Sequence, residues 1–313
     1  TGNSGMTRSE FLRLTAKLTA TGLAGTLLGR AAGVLATDAP VLKRPIPSSG
    51  EMLPVIGCGT WQTFDIGATP GERAPRAEVL KALFEAGGSV VDSSPMYGRA
   101  EGVVGDLLAE SGERTKAFIA TKVWTSGKEQ GIAQMQQSMK LLRANPLDLM
   151  QIHNLLDWQA HLPTLRTWKK DGRLRYIGVT HYTESAHDSL LAVVQRETFD
   201  FLQINYALDD RGAERRLLPA ARDRGIAVIV NMPFGGGGLL RKLSSRKLPD
   251  WAGEIGCSSW AQILLKFVLA NQAVTCVIPG TSRPEHMRDN AQAGSGPLPD
   301  GALLKRMTIE LVG

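Results

Sequence analysis

Cysteine is scarce in this sequence and follows no pattern that would build a disulfide framework or a metal site. Only Cys58, Cys257 and Cys276 occur among 313 residues, and they are widely spaced, with no Cys-x-x-Cys and no paired histidine. This spacing argues against a disulfide scaffold and against a zinc site. We therefore expect three small, buried hydrophobic side chains and no bound metal.

A cluster of basic residues interleaved with aromatic ones is also missing, and aromatic residues make up only 6% of the chain. The net charge is +6, but six Lys and Arg against two Asp and Glu lie among the first 44 residues, so the rest is nearly balanced. This balance argues against a nucleic-acid partner. A hydrophobic fraction of 43% is enough for a large core and excludes a disordered chain.

The first 36 residues follow the order of an export signal. Met6 is the expected start, and residues 7–13, which carry Arg8 and Arg13, precede an uncharged stretch at 18–29. A small-residue segment then predicts cleavage after Ala36. Residues 7–13 resemble a twin-arginine signal in which Ser9 takes the place of the second arginine.

These features predict a signal over residues 1–36, a single domain over 37–313, and a periplasmic location. A cytoplasmic protein with an amphipathic or disordered extension is the alternative. The uncharged run has about a dozen residues, whereas a spanning helix needs about 20. Stable membrane insertion is therefore expected only if the signal stays uncleaved.

After the signal, residues 44–55 predict a β-hairpin with a Ser-Ser-Gly turn, and β-rich and helical runs then alternate. Strands are predicted over 56–61, 89–93, 117–124, 147–153, 176–181, 199–205, 227–231 and 275–279. Helices are predicted over 76–86, 100–110, 128–143, 161–171, 184–195, 213–223, 258–270 and 284–291. Eight such units indicate an α/β fold, a (β/α)₈ TIM barrel with the hairpin closing its bottom. The alternative, a doubly wound sheet, lacks its Gly-x-Gly-x-x-Gly signature here.

Three successive predicted strands end in residues that carry proton chemistry. Asp92, Lys122 and His153 fall at the same rim of such a barrel, and Tyr97 follows Asp92 by five residues. A neighbouring ammonium is expected to lower the pKa of the Tyr97 phenol, with Asp92 holding Lys122 in place. His153 would orient a substrate oxygen or share its proton with Tyr97. The set suits delivery of a proton to an oxygen that gains negative charge.

The segments that carry these residues resemble the successive motifs of the aldo-keto reductase family. They are residues 92–101, 121–122, 148–153, 172–180 and 278–290, and the match is collinear over about 53–293. The resemblance implies a (β/α)₈ barrel that binds NAD(P)H without a Rossmann domain and reduces aldehydes or ketones to alcohols. It also implies that Asp92, Tyr97, Lys122 and His153 form the catalytic tetrad.

The resemblance further implies a nicotinamide site made by Gln203, Thr180 and His181, of which the last two stand where the family most often has Ser-Asn. In the segment that contains Asn231, Pro233 and Phe234, the sequence Asn-Met-Pro-Phe replaces the more familiar Tyr-Ser-Pro-Leu. The usual aromatic stack on the nicotinamide is therefore expected to be missing or supplied by another residue.

A glycine-rich segment follows, consisting of Gly235, Gly236, Gly237, a fourth glycine and Leu239. Backbone N–H groups in such a loop can approach an anion, so we predict a pyrophosphate contact; a merely flexible loop is the alternative.

Farther along the chain, Thr281 is expected to cap the last barrel helix, close to Arg283, Arg288 and Asn290. Two arginines could pair with a 2′-phosphate, which favours NADP(H) over NAD(H). Arginines that simply face solvent are the alternative. By resemblance, Trp61 and Trp124 line the substrate pocket, together with Trp158 on the loop after the fourth barrel strand.

The predicted function is therefore NADP-dependent carbonyl reduction of a small-molecule substrate, with Tyr97 as the general acid. A nucleotide-sensing module, similar to the potassium-channel β subunits of the family, is the alternative that the tetrad alone does not exclude. Lyase or isomerase chemistry in a barrel finds little support, because no metal cluster or Schiff-base context surrounds Lys122.

Overall fold

A computed structural model of the chain describes residues 40–312, so the predicted export signal lies outside the described residues. Two short strands form the antiparallel hairpin, β1 (Lys43–Pro45) and β2 (Met52–Pro54). Eight parallel strands then form one sheet in sequence order. They are β3 (Cys58–Gly59), β4 (Val90–Asp92), β5 (Phe118–Val123), β6 (Leu147–His153), β7 (Leu174–Thr180), β8 (Phe201–Asn205), β9 (Ala227–Asn231) and β10 (Val274–Val277).

The sheet closes on itself between its first and last strands, which confirms the predicted barrel. Parallel bridges join Ile56 to Val277 and Gly59 to Gly280. The first strand is shorter than predicted and packs closely against the chain at the end of the last strand, since a Cβ at Gly59 would lie 2.8 Å from the Ile278 carbonyl oxygen. Glycine is required at this point of closure because any side chain would push the backbones apart.

Helices separate the strands and surround the barrel. They are α1 (Pro70–Glu85), α2 (Ala100–Ser111), α3 (Lys128–Leu141), α4 (Trp158–Lys170), α5 (His187–Arg196), α6 (Leu217–Asp223), α7 (Gly238–Leu243), α8 (Trp260–Ala270), α9 (Pro284–Gln292) and α10 (Gly301–Leu311). Within the described part of the chain, no helix has both the length and the apolar character that crossing a membrane demands.

Several helix boundaries differ from the prediction. The first helix begins six residues before the expected Arg76, because Thr69 caps it through the Glu72 N–H and Pro70 suits its first turn. Helices α5 and α6 begin later than expected, each after a short 3₁₀ turn. Helices α7 and α10 were not predicted.

Two apolar clusters hold the fold together. The larger one lies between the strands and the surrounding helices and includes Cys58 and Cys257. The smaller one fills the barrel interior, where Ile46 and Leu53 of the hairpin meet strand residues such as Phe201. This packing confirms that the hairpin closes the bottom of the barrel. All three cysteines are buried and unpaired, as predicted.

Candidate active site

Polar side chains form a layer directly above the apolar interior of the barrel. Side chains alternate along a strand, so residues two apart face the same side. Asp92 follows the interior Val90 by two residues, Lys122 follows Ala120, and Gln203 follows Phe201; all six side chains are buried. The strands therefore bring the predicted residues together over the core and away from bulk water.

Asp92 and Lys122 form a buried ion pair at the centre of this layer. The Lys122 Nζ donates to Asp92 Oδ2 over 2.6 Å and to the Ser93 carbonyl over 2.7 Å. Burial by itself lowers the pKa of Lys122, but the Asp92 charge and the Tyr97 oxygen outweigh it, so the pKa is raised. Lys122 is therefore a firmly held cation at neutral pH.

Tyr97 lies beside this cation, with Lys122 Nζ 4.9 Å from its ring centroid. Its pKa is raised, because burial of the phenol outweighs the attraction of Lys122, and Asp92 adds to the increase. Lys122 lowers this pKa, as expected, but burial has the larger effect, so the predicted net direction was wrong. Tyr97 is therefore a protonated phenol, with a cation at hand for the negative charge left when it gives up a proton.

His153 completes the group at the C-terminal end of β6. Its ring meets the Tyr97 ring edge-on, with centroids 6.2 Å apart, and its Nδ1 lies 3.3 Å from Ser94 Oγ. Burial, followed by the charges of Lys122 and His181, lowers the pKa of His153 to about 3. A neutral imidazole can orient an oxygen through a hydrogen bond but holds no extra proton to deliver.

Gln151 is a member of the layer that the sequence reasoning missed. Its Nε2 donates to Asp92 Oδ1 over 3.2 Å, and Gln203 Nε2 donates to the same oxygen over 2.9 Å. Lys122 holds one oxygen of Asp92 and two amides hold the other. The signal was available, because Gln151 lies two residues before His153 on a strand and so faces the same side.

The three residues predicted around the nicotinamide also lie together. Thr180 Oγ1 donates to Gln203 Oε1 over 3.3 Å, and the His181 backbone N–H donates to the Gln203 carbonyl. His181 Nδ1 accepts from the Tyr182 N–H over 3.0 Å, so the ring proton is on Nε2. Partial burial, followed by the charge of His187, lowers the pKa of His181.

Asn231 joins this group from β9. Its Nδ2 donates to the His181 carbonyl over 3.1 Å and to Gln203 Oε1 over 3.4 Å. Its Oδ1 is buried and has no hydrogen-bond partner, a condition that only Asn154 Oδ1 shares among the buried side chains of residues 40–312. Because an unpartnered buried oxygen is costly, this site fits a ligand that brings an N–H or O–H group.

The glycine-rich segment forms a short 3₁₀ turn that leads into helix α7. Pro233 is buried and Phe234 packs against the core. Gly235, Gly236 and Gly237 have φ values of 52°, 65° and 79°, and helix α7 begins at the next residue, with Leu239 buried. These positive φ values favour glycine at all three positions.

Thr281 does not cap α9, contrary to the prediction. The N-cap is Arg283, and Thr281 Oγ1 accepts from the N–H of that residue, just before the helix. The exposed Arg283 pairs with Glu285, whereas Arg288 Nη2 lies 3.8 Å from Glu78. Asn290 is buried in the same helix. None of these residues bonds to the polar layer within residues 40–312.

Two of the three tryptophans that were predicted to line the substrate pocket lie at the rim. Trp61 follows β3 and is 54% exposed, and Trp124 follows β5 and is 40% exposed, with its ring 6.4 Å from that of His153. Trp158 is the first residue of α4 rather than a loop residue, and it packs against the larger core cluster. Its predicted place in the pocket therefore rests on the sequence alone.

Comparisons with known proteins agree with this architecture. The profile of the Aldo/keto reductase family matches residues 55–303. Methylglyoxal reductase YeaE of Escherichia coli is 28% identical over 257 residues, which cover 80% of this chain and 88% of that protein. An aldo-keto reductase from Klebsiella pneumoniae in complex with NADPH superposes with a TM-score of 0.70 at 24% identity, covering 86% and 95% of the two chains.

A second Klebsiella pneumoniae aldo/keto reductase, in complex with NADP and acetate, gives a TM-score of 0.67 at 25% identity, covering 83% of this chain and 93% of that one. The closed eight-stranded barrel and the family match agree over nearly the whole described region. The chain belongs to the aldo/keto reductase family.

Proposed function

We propose that this chain reduces aldehydes or ketones to alcohols with NAD(P)H. The observation that carries the proposal is the buried Asp92–Lys122 pair with Tyr97 and His153 beside it at one rim of the barrel. NAD(P)H supplies the hydride that the carbonyl carbon accepts. The reductase names of the relatives favour this function over the regulatory alternative.

Each of the four residues has a different role in the reaction at the carbonyl oxygen. His153, neutral because its pKa is about 3, orients that oxygen by a hydrogen bond. Tyr97 donates its proton to the oxygen as negative charge develops there, and Lys122 stabilises the phenolate that remains. Asp92 and its two amide donors keep Lys122 charged and in place. The product is an alcohol, and Tyr97 regains its proton from solvent.

The residues present also fit the cofactor. The nicotinamide end would lie against Thr180, His181 and Asn231, which Gln203 holds in place, and the unpartnered Asn231 Oδ1 suits a ligand donor. The turn Gly235–Gly237 and the neighbouring Leu239 would approach the pyrophosphate through backbone N–H groups.

Carbonyl reduction is tested by following NADPH absorbance with purified protein and a panel of aldehydes and ketones. Methylglyoxal belongs in the panel because of the activity named for the relative. The exposed rings of Trp61 and Trp124 at the rim favour carbonyl compounds with apolar substituents. Turnover is expected; tight cofactor binding without turnover of any compound would favour a sensing role instead.

A preference for NADP(H) over NAD(H) is the finer part of the proposal. Arg283 and Arg288 are mostly exposed and each already lies near a carboxylate, so a 2′-phosphate would compete with Glu285 and Glu78 for them. NADP(H) is present in the two Klebsiella structures. We expect kcat/KM for NADPH to exceed that for NADH. We expect Arg288→Ala to lower the ratio of these two kcat/KM values. An unchanged ratio would remove Arg288 from the site.

Export by the twin-arginine-like segment is likewise proposed from the sequence. Twin-arginine export carries folded proteins, so the protein would cross with its cofactor already bound. N-terminal sequencing of the periplasmic form is expected to begin at Thr37. An intact N-terminus in the cytoplasmic fraction would contradict export.

A further inference from the structure

The Gln203 side chain has no hydrogen-bonding capacity left for a ligand. Its Nε2 donates to Asp92 Oδ1 over 2.9 Å and to Gln151 Oε1 over 3.2 Å. Its Oε1 accepts from Thr180 Oγ1 and from Asn231 Nδ2. A primary amide offers two donors and two lone pairs, and all four are used in a side chain that is 1% exposed. Another residue must therefore recognise an incoming amide.

Asn231 is the member of this network with an unused group. Its Nδ2 faces two acceptors, the His181 carbonyl and Gln203 Oε1. A half-turn of the amide would set Oδ1 against both oxygens, so the observed orientation is the favourable one. Oδ1 therefore faces away from both acceptors, buried and without a donor.

The position of Asn231 places this oxygen in the candidate site. The residue ends β9, where it is paired with Asn205 of β8, and one hydrogen bond separates it from Gln203. Gln203 in turn binds Asp92 of the buried ion pair. A carbonyl substrate brings only an acceptor to such a site, whereas the nicotinamide carboxamide brings two N–H groups.

We infer that Asn231 Oδ1 accepts a hydrogen bond from the carboxamide N–H of the nicotinamide, so that an amide contact stands where the family more often has a tyrosine ring. The inference rests on the proposed function, because it requires a nicotinamide cofactor. It assigns to Asn231 the recognition that the sequence assigned to Gln203.

The test uses a nucleotide that lacks this donor. In the 3-acetylpyridine analogue of NADP⁺, a methyl group replaces the carboxamide amino group while the carbonyl remains. Calorimetry on the full chain is expected to show about tenfold weaker binding of the analogue, since the buried oxygen would stay unpartnered. Asn231→Ala is expected to bind both nucleotides equally. The same pair without the 2′-phosphate is measured in parallel.

Asn154→Ala is the matched control, because Asn154 has the other unpartnered buried oxygen and follows β6 at the same end of the barrel. This variant is expected to retain the tenfold preference. If Asn231→Ala does not fold, Asn231→Leu, which has the same branched shape, a larger volume and no acceptor, replaces it.

Equal binding of the two nucleotides by the parent chain would overturn the inference and would indicate that water satisfies the oxygen. A preference that persists without Asn231, or that disappears with Asn154, would overturn it as well. In these three cases nucleotide binding, and with it the proposed function, would stand. Failure to bind any of the nucleotides would instead overturn the proposed function.

Discussion

The two ends of the barrel interior use the same strands for opposite purposes. At the lower end, which the hairpin closes, Phe118, Tyr176 and Phe201 pack with ring centroids 5.5 to 5.9 Å apart, and hairpin residues cover them. The upper end lies at the C-terminal ends of the strands. At the upper end, two residues beyond the interior Ala120 and Phe201 on two of these strands, lie Lys122 and Gln203. The difference shows that two residues of strand register separate a core from a reactive site.

The energetics of the two ends differ as sharply as their composition. The lower end stabilises the fold by removing apolar surface from water. The upper end buries two charges, which is unfavourable unless each finds its partner, and the structure supplies Lys122 with Asp92 and Asp92 with two further amides. The lower end therefore supplies the stability of the fold, whereas the upper end carries the reactive groups and adds little stability.

The largest expected effect follows from separating the buried ion pair. Lys122→Met leaves the Asp92 charge without its counter-ion, so the free energy of unfolding should fall by about 3–5 kcal/mol. The double variant Asp92→Asn with Lys122→Met should recover most of that loss while remaining inactive. Urea denaturation measures both, and a double variant as unstable as the single one would contradict this view of the upper end.

A substitution at the lower end should reduce stability without reducing activity. Leu53 is 2% exposed within the hairpin, and Leu53→Ala is expected to cost about 2–5 kcal/mol of unfolding free energy. Because the hairpin closes the opposite end of the barrel, kcat/KM of the folded variant should stay at the parent value. A fall in kcat/KM at temperatures where the variant is fully folded would show that the two ends are coupled.

Acid should lower the free energy of unfolding, because His153 is buried in its neutral form at the upper end. Its pKa is about 3 in the folded chain and about 6.5 when unfolded, so the unfolded state binds more protons between these values. The stabilisation is complete above pH 6.5 and is lost as pH falls toward 3, by up to about 1.4 kcal/mol per pH unit.

The free energy of unfolding, measured by urea denaturation at several pH values between about 3 and 6.5, should depend less steeply on pH for His153→Gln than for the parent. His286, which is exposed on α9, provides the matched control, and His286→Gln should leave the slope unchanged. An identical slope in the His153 variant would mean that the imidazole is charged in the folded chain.

The smallest expected effect on the free energy of unfolding concerns the glycine turn that precedes α7. Gly237 has φ of 79° and Gly238, the next residue, has φ of −63°. Alanine at position 237 should cost about 1 kcal/mol, whereas alanine at position 238 should stabilise by about 0.5–1 kcal/mol. Thermal unfolding compares the pair directly, and stabilisation by both substitutions would show that the turn is not held in its left-handed conformation.

The sequence predicted the strands better than the connections. The bounds of β6 and β9 are those expected, because short, continuous runs of residues buried on both faces are typical of strands in a parallel sheet. Helix α7 was missed because four glycines argue for a loop, and its six residues owe their place to packing of Leu239 and Leu243. Helix α10 lay beyond the last family motif.

The contacts within the site depended on information that a single strand does not carry. Asp92, Lys122 and His153 were identified because each ends a strand. The amides of Gln151 and Gln203 reach the same Asp92 oxygen only through the register that pairs β4, β5, β6, β7 and β8. The direction of the Tyr97 pKa shift was wrong because burial depends on the whole fold.

One measurement tests the central claim, that the upper end alone performs the chemistry. Two tyrosines allow it, since Tyr97 lies in the upper end and Tyr176 lies in the lower, where its hydroxyl donates to Glu51. Carbonyl-dependent oxidation of NADPH is compared in Tyr97→Phe and Tyr176→Phe. We expect Tyr97→Phe to lose turnover by roughly 10²–10⁴-fold while binding NADPH normally, and Tyr176→Phe to keep the parent rate. Parent-like turnover in Tyr97→Phe would contradict the account.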